Sequence, residues 1–519
     1  MWIAIKNMRI VRVVPVVCLI VLLGMPGGTS GVRAEVGPSL GPSALWNTSA
    51  MGLTYQWHTF YGIADATSEL HSIAVDASGN VYVAGYTHKT WGSPLHAYSG
   101  DYDVVVIKLN SLGAYQWHTF YGASPTTSED GDDEAASIAV DADGNVYVTG
   151  YSDRTWQGPG NTEPLHAHGG DSEYMFILKL NSSGAYQWHT FYQPGRANAI
   201  ALDSAGNVYV TGYAGSEWGS PKHTAAPDGH LVVLKLNSSG AYQWHTYYGA
   251  GVGAGDEAGY GIVADSLNNM LYVTGSATYT WQGDGNAAPL NPFSGGEEYS
   301  TDIVVLKLSS SGTYQWHTFY GASGTDDVGN GVTWGPGGIC VVGQSFGTWG
   351  SPLHAHGGER DIVVLNLNAI GAHQWHTFYG SGAHDIGSGI DMDASGNTYI
   401  VGVSAESWQG DGDASPRHPY SGTGAVDIVV LKLNSSGIYQ RHTFYGASDT
   451  HDYGVSIALD SNHGVFTTGT SQSTWQGDGG VSPLHPHSGN LNGDGFVLKL
   501  SDRIYSVYLP LVIKNHSQS

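Results

Sequence analysis

Seven near-copies of one octapeptide constrain this chain more than any other feature. Tyr-Gln-Trp-His-Thr-Phe-Tyr-Gly begins at Tyr55 and returns, slightly altered, at Tyr115, Tyr186, Tyr242, Tyr314, His373 and Tyr439. Arg441 stands where the other six copies have Trp. The spacings are 60, 71, 56, 72, 59 and 66 residues. Self-similarity at such periods means a repeat architecture in which each unit buries its faces against its neighbours. Each unit carries three more apolar runs. In the second they are Ser137 to Asp141, Asn145 to Gly150 and Tyr174 to Leu180.

All four runs are short and rich in Val, Ile, Tyr, Phe and Thr, so they read as strands a to d, with the octapeptide as d. Asp-x-x-Gly-Asn joins a to b (Asp76 to Asn80, Asp141 to Asn145, Asp203 to Asn207, Asp393 to Asn397). Asn-Ser-Ser-Gly joins c to d at Asn181, Asn237 and Asn434. These are tight-turn sequences, and four antiparallel strands with tight turns make one propeller blade. The a-b-c set occurs seven times, but the first d copy precedes the first set and the last set has no d copy after it. The N-terminal strand should therefore complete the last blade and close the ring, removing open sheet edges. The expected fold is all-β: a seven-bladed β-propeller of four-stranded antiparallel blades over residues 54–500. Residues 1–34 form a leader, 35–53 a linker and 501–519 a tail.

The run from Ile138 to Gly150, Ile-Ala-Val-Asp-x-x-Gly-Asn-Val-Tyr-Val-Thr-Gly, resembles the bacterial SBBP seven-bladed β-propeller repeat family, and the likeness extends over all seven units. The resemblance implies the propeller fold and an exported or cell-surface protein, and it implies no substrate. The sialidase-type Ser-x-Asp-x-Gly-x-Thr-Trp box is absent from the sequence.

Export is also read from the N-terminus. Lys6, Arg9 and Arg12 precede an apolar stretch from Val13 to Met25, and Val32-Arg33-Ala34 offers a cleavage site. A retained anchor is the alternative. Cleavage after Ala34 removes four cations and no acid, so the net charge moves from −25 to −29. Cys18 leaves with the leader, and Cys340, in the apolar run Ile339 to Val342, is expected to be a buried thiol without a disulfide. So acidic a chain is not expected to bind nucleic acid, whose phosphates need Lys and Arg. The mature chain is expected to be a monomer with no transmembrane domain.

The b–c and d–a loops share one face and carry the polar chemistry, so ligand binding is expected there. Each b–c loop has a Trp six residues after the strand-b Gly. Units 1, 3 and 5 continue Trp-Gly-Ser-Pro from Trp91, Trp218 and Trp349. Units 2, 4, 6 and 7 continue Trp-Gln-Gly from Trp156, Trp281, Trp408 and Trp475, three of them reaching Asp284, Asp411 and Asp478. His166 and His485 follow in Pro-Leu-His segments. Trp, Asp and His on one face suit a sugar, with Trp stacking on a pyranose ring. The competing reading is that each Trp caps its own blade, because repeat residues mostly serve packing between units. The strand-d histidines read as packing residues, since they stand one per blade and are not clustered as zinc ligands are. The acidic loop at Asp130, Asp132, Asp133 and Glu134 suits Ca²⁺, the one cofactor the sequence suggests; a solvated acidic loop is the alternative. Asn490 to Gly495 begins like a calcium loop but has Ser501 at position twelve, where an EF-hand needs Glu. Arg196, Lys222, Arg360 and Arg417 are rare cations suited to an anionic group. The function expected is a non-catalytic binding or scaffold module for a protein or polysaccharide. The alternative is a carbohydrate-active lyase or hydrolase with its site in the same loops.

Overall fold

A computed structural model describes residues 53–124, 131–170, 172–224, 229–250, 257–295, 300–422, 424–489 and 491–502. The chain divides after Ser49 into two units, and only the second holds described residues. The leader, Asp130, Asn490 and the tail beyond Asp502 lie outside them.

Blade 1 shows the pattern: Ser68–Val75, Val81–Thr87, Asp103–Leu109 and Tyr115–Tyr121, paired in chain order. Blades 4, 5 and 6 repeat it. Blade 7 is built from Asp452–Leu459, Gly464–Ser471 and Asp494–Ser501, with Thr54–Tyr61 as its outer strand. Thr54 pairs with Ser501 and Tyr61 with Gly495, so the expected closure by the N-terminal strand is present. Blades 2 and 3 depart from the pattern. Strand d of one runs straight into strand a of the other as Tyr186–Leu202, which joins seven strands in one sheet. This is the unit followed by the shortest spacing, 56 residues, and no d–a loop separates its two strands.

The sequence explains each turn locally. Asp76 accepts the backbone N–H of Ser78 and Asn80 on one oxygen, and the Asn80 amide and Tyr82 hydroxyl on the other. Four donors hold its carboxyl below the ordinary range despite partial burial. The strand-b glycine is fixed by a β-bulge. Strand a bulges between Leu70 and Ser72, and a Cβ on Gly85 would lie 1.8 Å from the Glu69 carbonyl oxygen. Gly150, Gly275, Gly343 and Gly469 meet the same obstruction at 1.8 Å.

The hydrophobic cores lie between blades. Trp57, Tyr61 and Phe466 of blade 7 pack with Ile73, Val83 and Ile107 of blade 1, so the seam of the ring is filled like the other junctions. Strand-c lysines stitch the outside. Lys108 of blade 1 donates to the Ser182 carbonyl of blade 2, and Lys499 of blade 7 donates to the Ser111 carbonyl of blade 1 across the seam. Among the described residues no helix is long and apolar enough to cross a membrane.

Candidate functional site

The b–c loops do not project from the face of the propeller. Each folds down over the outer edge of its own blade and runs back beside strand d. Leu95 N–H donates to the His118 carbonyl and Phe120 N–H donates to the His96 carbonyl. The same pair of bonds recurs at Leu165 and Phe191, Leu353 and Phe378, and Leu484 and Phe60. An outer strand would otherwise offer a row of unpaired backbone groups, so these segments cover the edge.

Under each loop lies the same stack. Trp156 sits on His189 with ring centroids 3.9 Å apart and planes 9° apart. The His189 Nε2–H donates to the Trp156 carbonyl, and its Nδ1 accepts the Tyr186 hydroxyl. Trp281 on His317, Trp408 on His442 and Trp475 on His58 repeat it, and all four tryptophans are buried. Burial disfavours the imidazolium, which lowers His58, His189, His317 and His442 to about 4. The strand-d histidines are thus neutral pillars inside the wall.

The loop aspartates are struts between blades, and His166 and His485 tie their loops to strand d of their own blade. Asp284, Asp411 and Asp478 accept the hydroxyls of Tyr248, Tyr379 and Tyr445 from the preceding blade at 3.1, 3.3 and 2.9 Å. His166 and His485 donate from Nδ1 to the carbonyls of Phe191 and Phe60 and lie parallel to Tyr192 and Tyr61. Three of the four cations face a charged or aromatic partner within the chain. Arg196 pairs with Glu173 and lies over the Tyr151 ring, and Arg360 lies over Phe346. Arg417 stands 3.9 Å from Asp478, and the Lys222 stem lies beside Gly312. Cys340 is buried, accepts a bond from the Asn366 amide and has its thiol pushed up to about 12 by burial.

The acidic loop splits in two. Asp133 turns inward, fully buried, and accepts the Ala123 N–H; burial holds it well above the ordinary carboxyl range. Asp132 and Glu134 stay partly open, and Asp132 is bridged to Tyr102 of blade 1. Burial, with Asp153, Asp101, Glu134 and Glu173 nearby, pushes Asp132 up to about 6. Asp130 lies outside the described residues. Among the described residues no three His, Cys, Asp or Glu side chains are grouped to hold a metal ion.

One consequence of the two loop types is not visible in sequence. In blades 2, 4, 6 and 7 the longer loop closes a small hairpin, with bridges between Gly158 and Thr162, Gly283 and Ala287, Gly410 and Ala414, and Gly477 and Val481. Its first glycine lies flat on the Tyr that opens strand d: a Cβ on Gly283 would come 2.1 Å from Tyr314. Blades 1, 3 and 5 lack the hairpin. There Tyr115 and Tyr242 are 44% and 42% exposed, His373 is exposed, and Trp91, Trp218 and Trp349 are only half-buried. At the seam between blades 7 and 1 this leaves a cavity of about 910 Å³, lined by Tyr61, Trp91, Leu95, Tyr115, His118 and His485 among others.

Among solved structures, the fold is similar to a chain of the mitotic checkpoint complex, at 11% identity over 86% of this chain and 94% of that one, with a TM-score of 0.43. It is similar to the Dos1 propeller at 10% identity over 86% and 95%, with a TM-score of 0.41. It is also similar to the quinohemoprotein alcohol dehydrogenase ADHIIG of Pseudomonas putida HK5 at 10% identity over 89% and 78%, with a TM-score of 0.40. No curated protein matches the chain. The family model of the SBBP beta-propeller repeat matches residues 56–90, 116–154, 196–217 and 243–278, so four stretches of this seven-bladed propeller, each on strands of the blades described above, are similar to that repeat.

Proposed function

We propose that the chain is an exported or cell-surface propeller that binds a polysaccharide or protein without chemical turnover. One observation carries the reading. The open aromatic surfaces recur at three blade junctions and do not converge on one centre, as a repeated binding surface does and an active site does not. The strand-d histidines and the loop aspartates, the residue types best suited to acid–base work, serve as fixed pillars and struts of the wall. The charge balance of −25 turns the surface away from polyanions, nucleic acid included. Calcium belongs to this reading only as a ligand of the acidic surface around Asp132 and Glu134.

A carbohydrate-active lyase or hydrolase is the second reading, favoured by the raised carboxyl of Asp132 beside Glu134, a group poised for proton transfer near neutral pH. The two separate in one experiment. Residues 35–519 are passed over a glycan array and used for pull-down, with the supernatants assayed for new reducing ends and unsaturated uronates. Retention without products is expected. Products that disappear in Asp132→Asn establish the enzyme.

A further inference from the structure

We propose that the groove at the ring seam, between the outer strands of blades 7 and 1, is a binding site for an uncharged pyranose chain, with weaker equivalents at the junctions holding Trp218 and Trp349. The proposal rests on the binding-module reading and names its ligand class and its place.

The cavity of about 910 Å³ falls in the size range of small-ligand sites. Its lining contains no Asp, Glu, Lys or Arg, in a chain with 44 acids. His118 is neutral, its two nitrogens engaged by the Tyr115 hydroxyl and the Trp91 carbonyl and its basicity lowered by burial. A charged occupant would lose water and gain no counter-charge there, so the occupant is uncharged.

Tyr61 stands between His485, parallel at 5.6 Å, and Trp91, stacked at 5.9 Å, and Trp91 in turn lies on His118 at 3.8 Å, so the ring left open beside this stack is Tyr115. The open Tyr115 ring, with the edges of the stack and polar groups around it, suits a flat molecule that is apolar on its faces and polar at its edge, which describes a pyranose. Ser93, Gln116 and the Tyr115 hydroxyl supply polar groups at the margin. A peptide laid along the blade as an added strand is disfavoured, because the Leu95 and His96 segment already occupies the edge of strand d.

Tyr115 is open only because the b–c loop of blade 1 lacks the hairpin that covers Tyr186, Tyr314, Tyr439 and Tyr55 in blades 2, 4, 6 and 7. The same opening recurs where Tyr192 faces Trp218 and Tyr242, and where Tyr320 faces Trp349 and His373. Spaced equivalents around one rim suit a polymer with a repeated unit. At the last of them Asn291 and His373 replace two of the rings, which makes it the weakest.

The test uses the chain from residue 35 to 519 with cellohexaose, mannohexaose, xylohexaose and maltohexaose, and hexagalacturonate as the charged control, by calorimetry and tryptophan fluorescence. One variant is Trp91→Ala. A second keeps Trp91 and grafts residues 157–163 in place of Gly92 and Ser93, closing the groove with the hairpin of blade 2. At least one neutral hexasaccharide is expected to bind and hexagalacturonate to fail. The graft is expected to lower the affinity by at least about tenfold at an unchanged melting temperature. The graft decides the outcome where Trp91→Ala fails to fold. Absence of binding by every neutral hexasaccharide overturns the proposal, while a protein recovered by pull-down would still sustain the general reading. Binding that the graft leaves unchanged also overturns it and moves the sugar elsewhere on the propeller.

Discussion

His189 shows how much a repeated residue can do without touching a ligand. Its ring is buried, stacked on Trp156, and bonded at both nitrogens. His189→Ala removes the stack and leaves the Tyr186 hydroxyl without its acceptor, so a loss of about 3–5 kcal/mol is expected, the range for truncating a large buried ring. Chemical denaturation at pH 7 reads it, and a loss under about 1 kcal/mol would mean that the stack is incidental. Gly122 makes a second case. A Cβ there would lie 2.6 Å from Asp103 Oδ1 and 2.9 Å from Asp133 Oδ2, both side chains being buried. Gly122→Ala should therefore lower the melting temperature, whereas Ala at Gly160, whose Cβ position is open, should cost only the strain of its positive φ. The sequence made the histidines legible as packing residues, because they recur once per blade. It did not reveal their bonds: the Tyr-x-x-His spacing puts hydroxyl and imidazole within reach only once the register of strand d is known. Asp133 was read as one carboxylate of a loop, and only the start of strand a shows it turning inward.

At the scale of the element, the N-terminal strand is the most consequential piece. Thr54–Tyr61 pairs along the whole of Asp494–Ser501, and Phe60 packs with Phe496 and Tyr399. Deleting residues 35–62 strips blade 7 of its outer strand and opens the seam. The melting temperature should fall by at least about 5 °C, since several kcal/mol of apolar burial are lost. An unchanged melting curve would contradict closure. Strands and turns were readable because their signals are local: β-branched runs between Asp-x-x-Gly-Asn turns. The b–c loops were not. Pro-Leu-His carries no strand signature, so its role as a cover for the edge of strand d had to come from the tertiary structure. The two loop lengths were visible as Trp-Gly-Ser-Pro and Trp-Gln-Gly, but which of them leaves a ring open depends on where the hairpin lands. The buried Trp156, Trp281, Trp408 and Trp475 are the ones under hairpins; the open rim belongs to Trp91, Trp218 and Trp349.

The whole molecule carries two opposed sets of buried titratable groups, and their balance predicts its pH profile. The strand-d histidines are lowered to about 4 at positions 58, 189, 317, 376 and 442. The unfolded chain then binds more protons than the folded one between about pH 4 and 6.5, so this set costs stability as pH falls through that window. Aspartates that open strands c and a behave oppositely. Burial raises Asp103, Asp327 and Asp385 to about 6 and Asp452 to about 7, and holds Asp133 well above the ordinary carboxyl range. Here the folded chain binds more protons, so stability present below about pH 4 is lost as pH rises through 6 to 7. Between pH 4 and 6 the two sets offset each other. Above pH 6.5 the histidines are neutral in both states and only the highest carboxyls still titrate. The melting temperature at fixed ionic strength should therefore fall between pH 6.5 and 8. Asp452→Asn keeps one oxygen for the Ala447 N–H, turns its amide N–H to the Ser471 Oγ, which can donate instead to the Ser473 carbonyl, and removes the proton from the balance. That variant should show a shallower fall over the same interval. A melting temperature that climbs from pH 6.5 to 8, in the parent or with equal slope in the variant, would mean that these carboxyls are ionised in the folded propeller with no cost of burial.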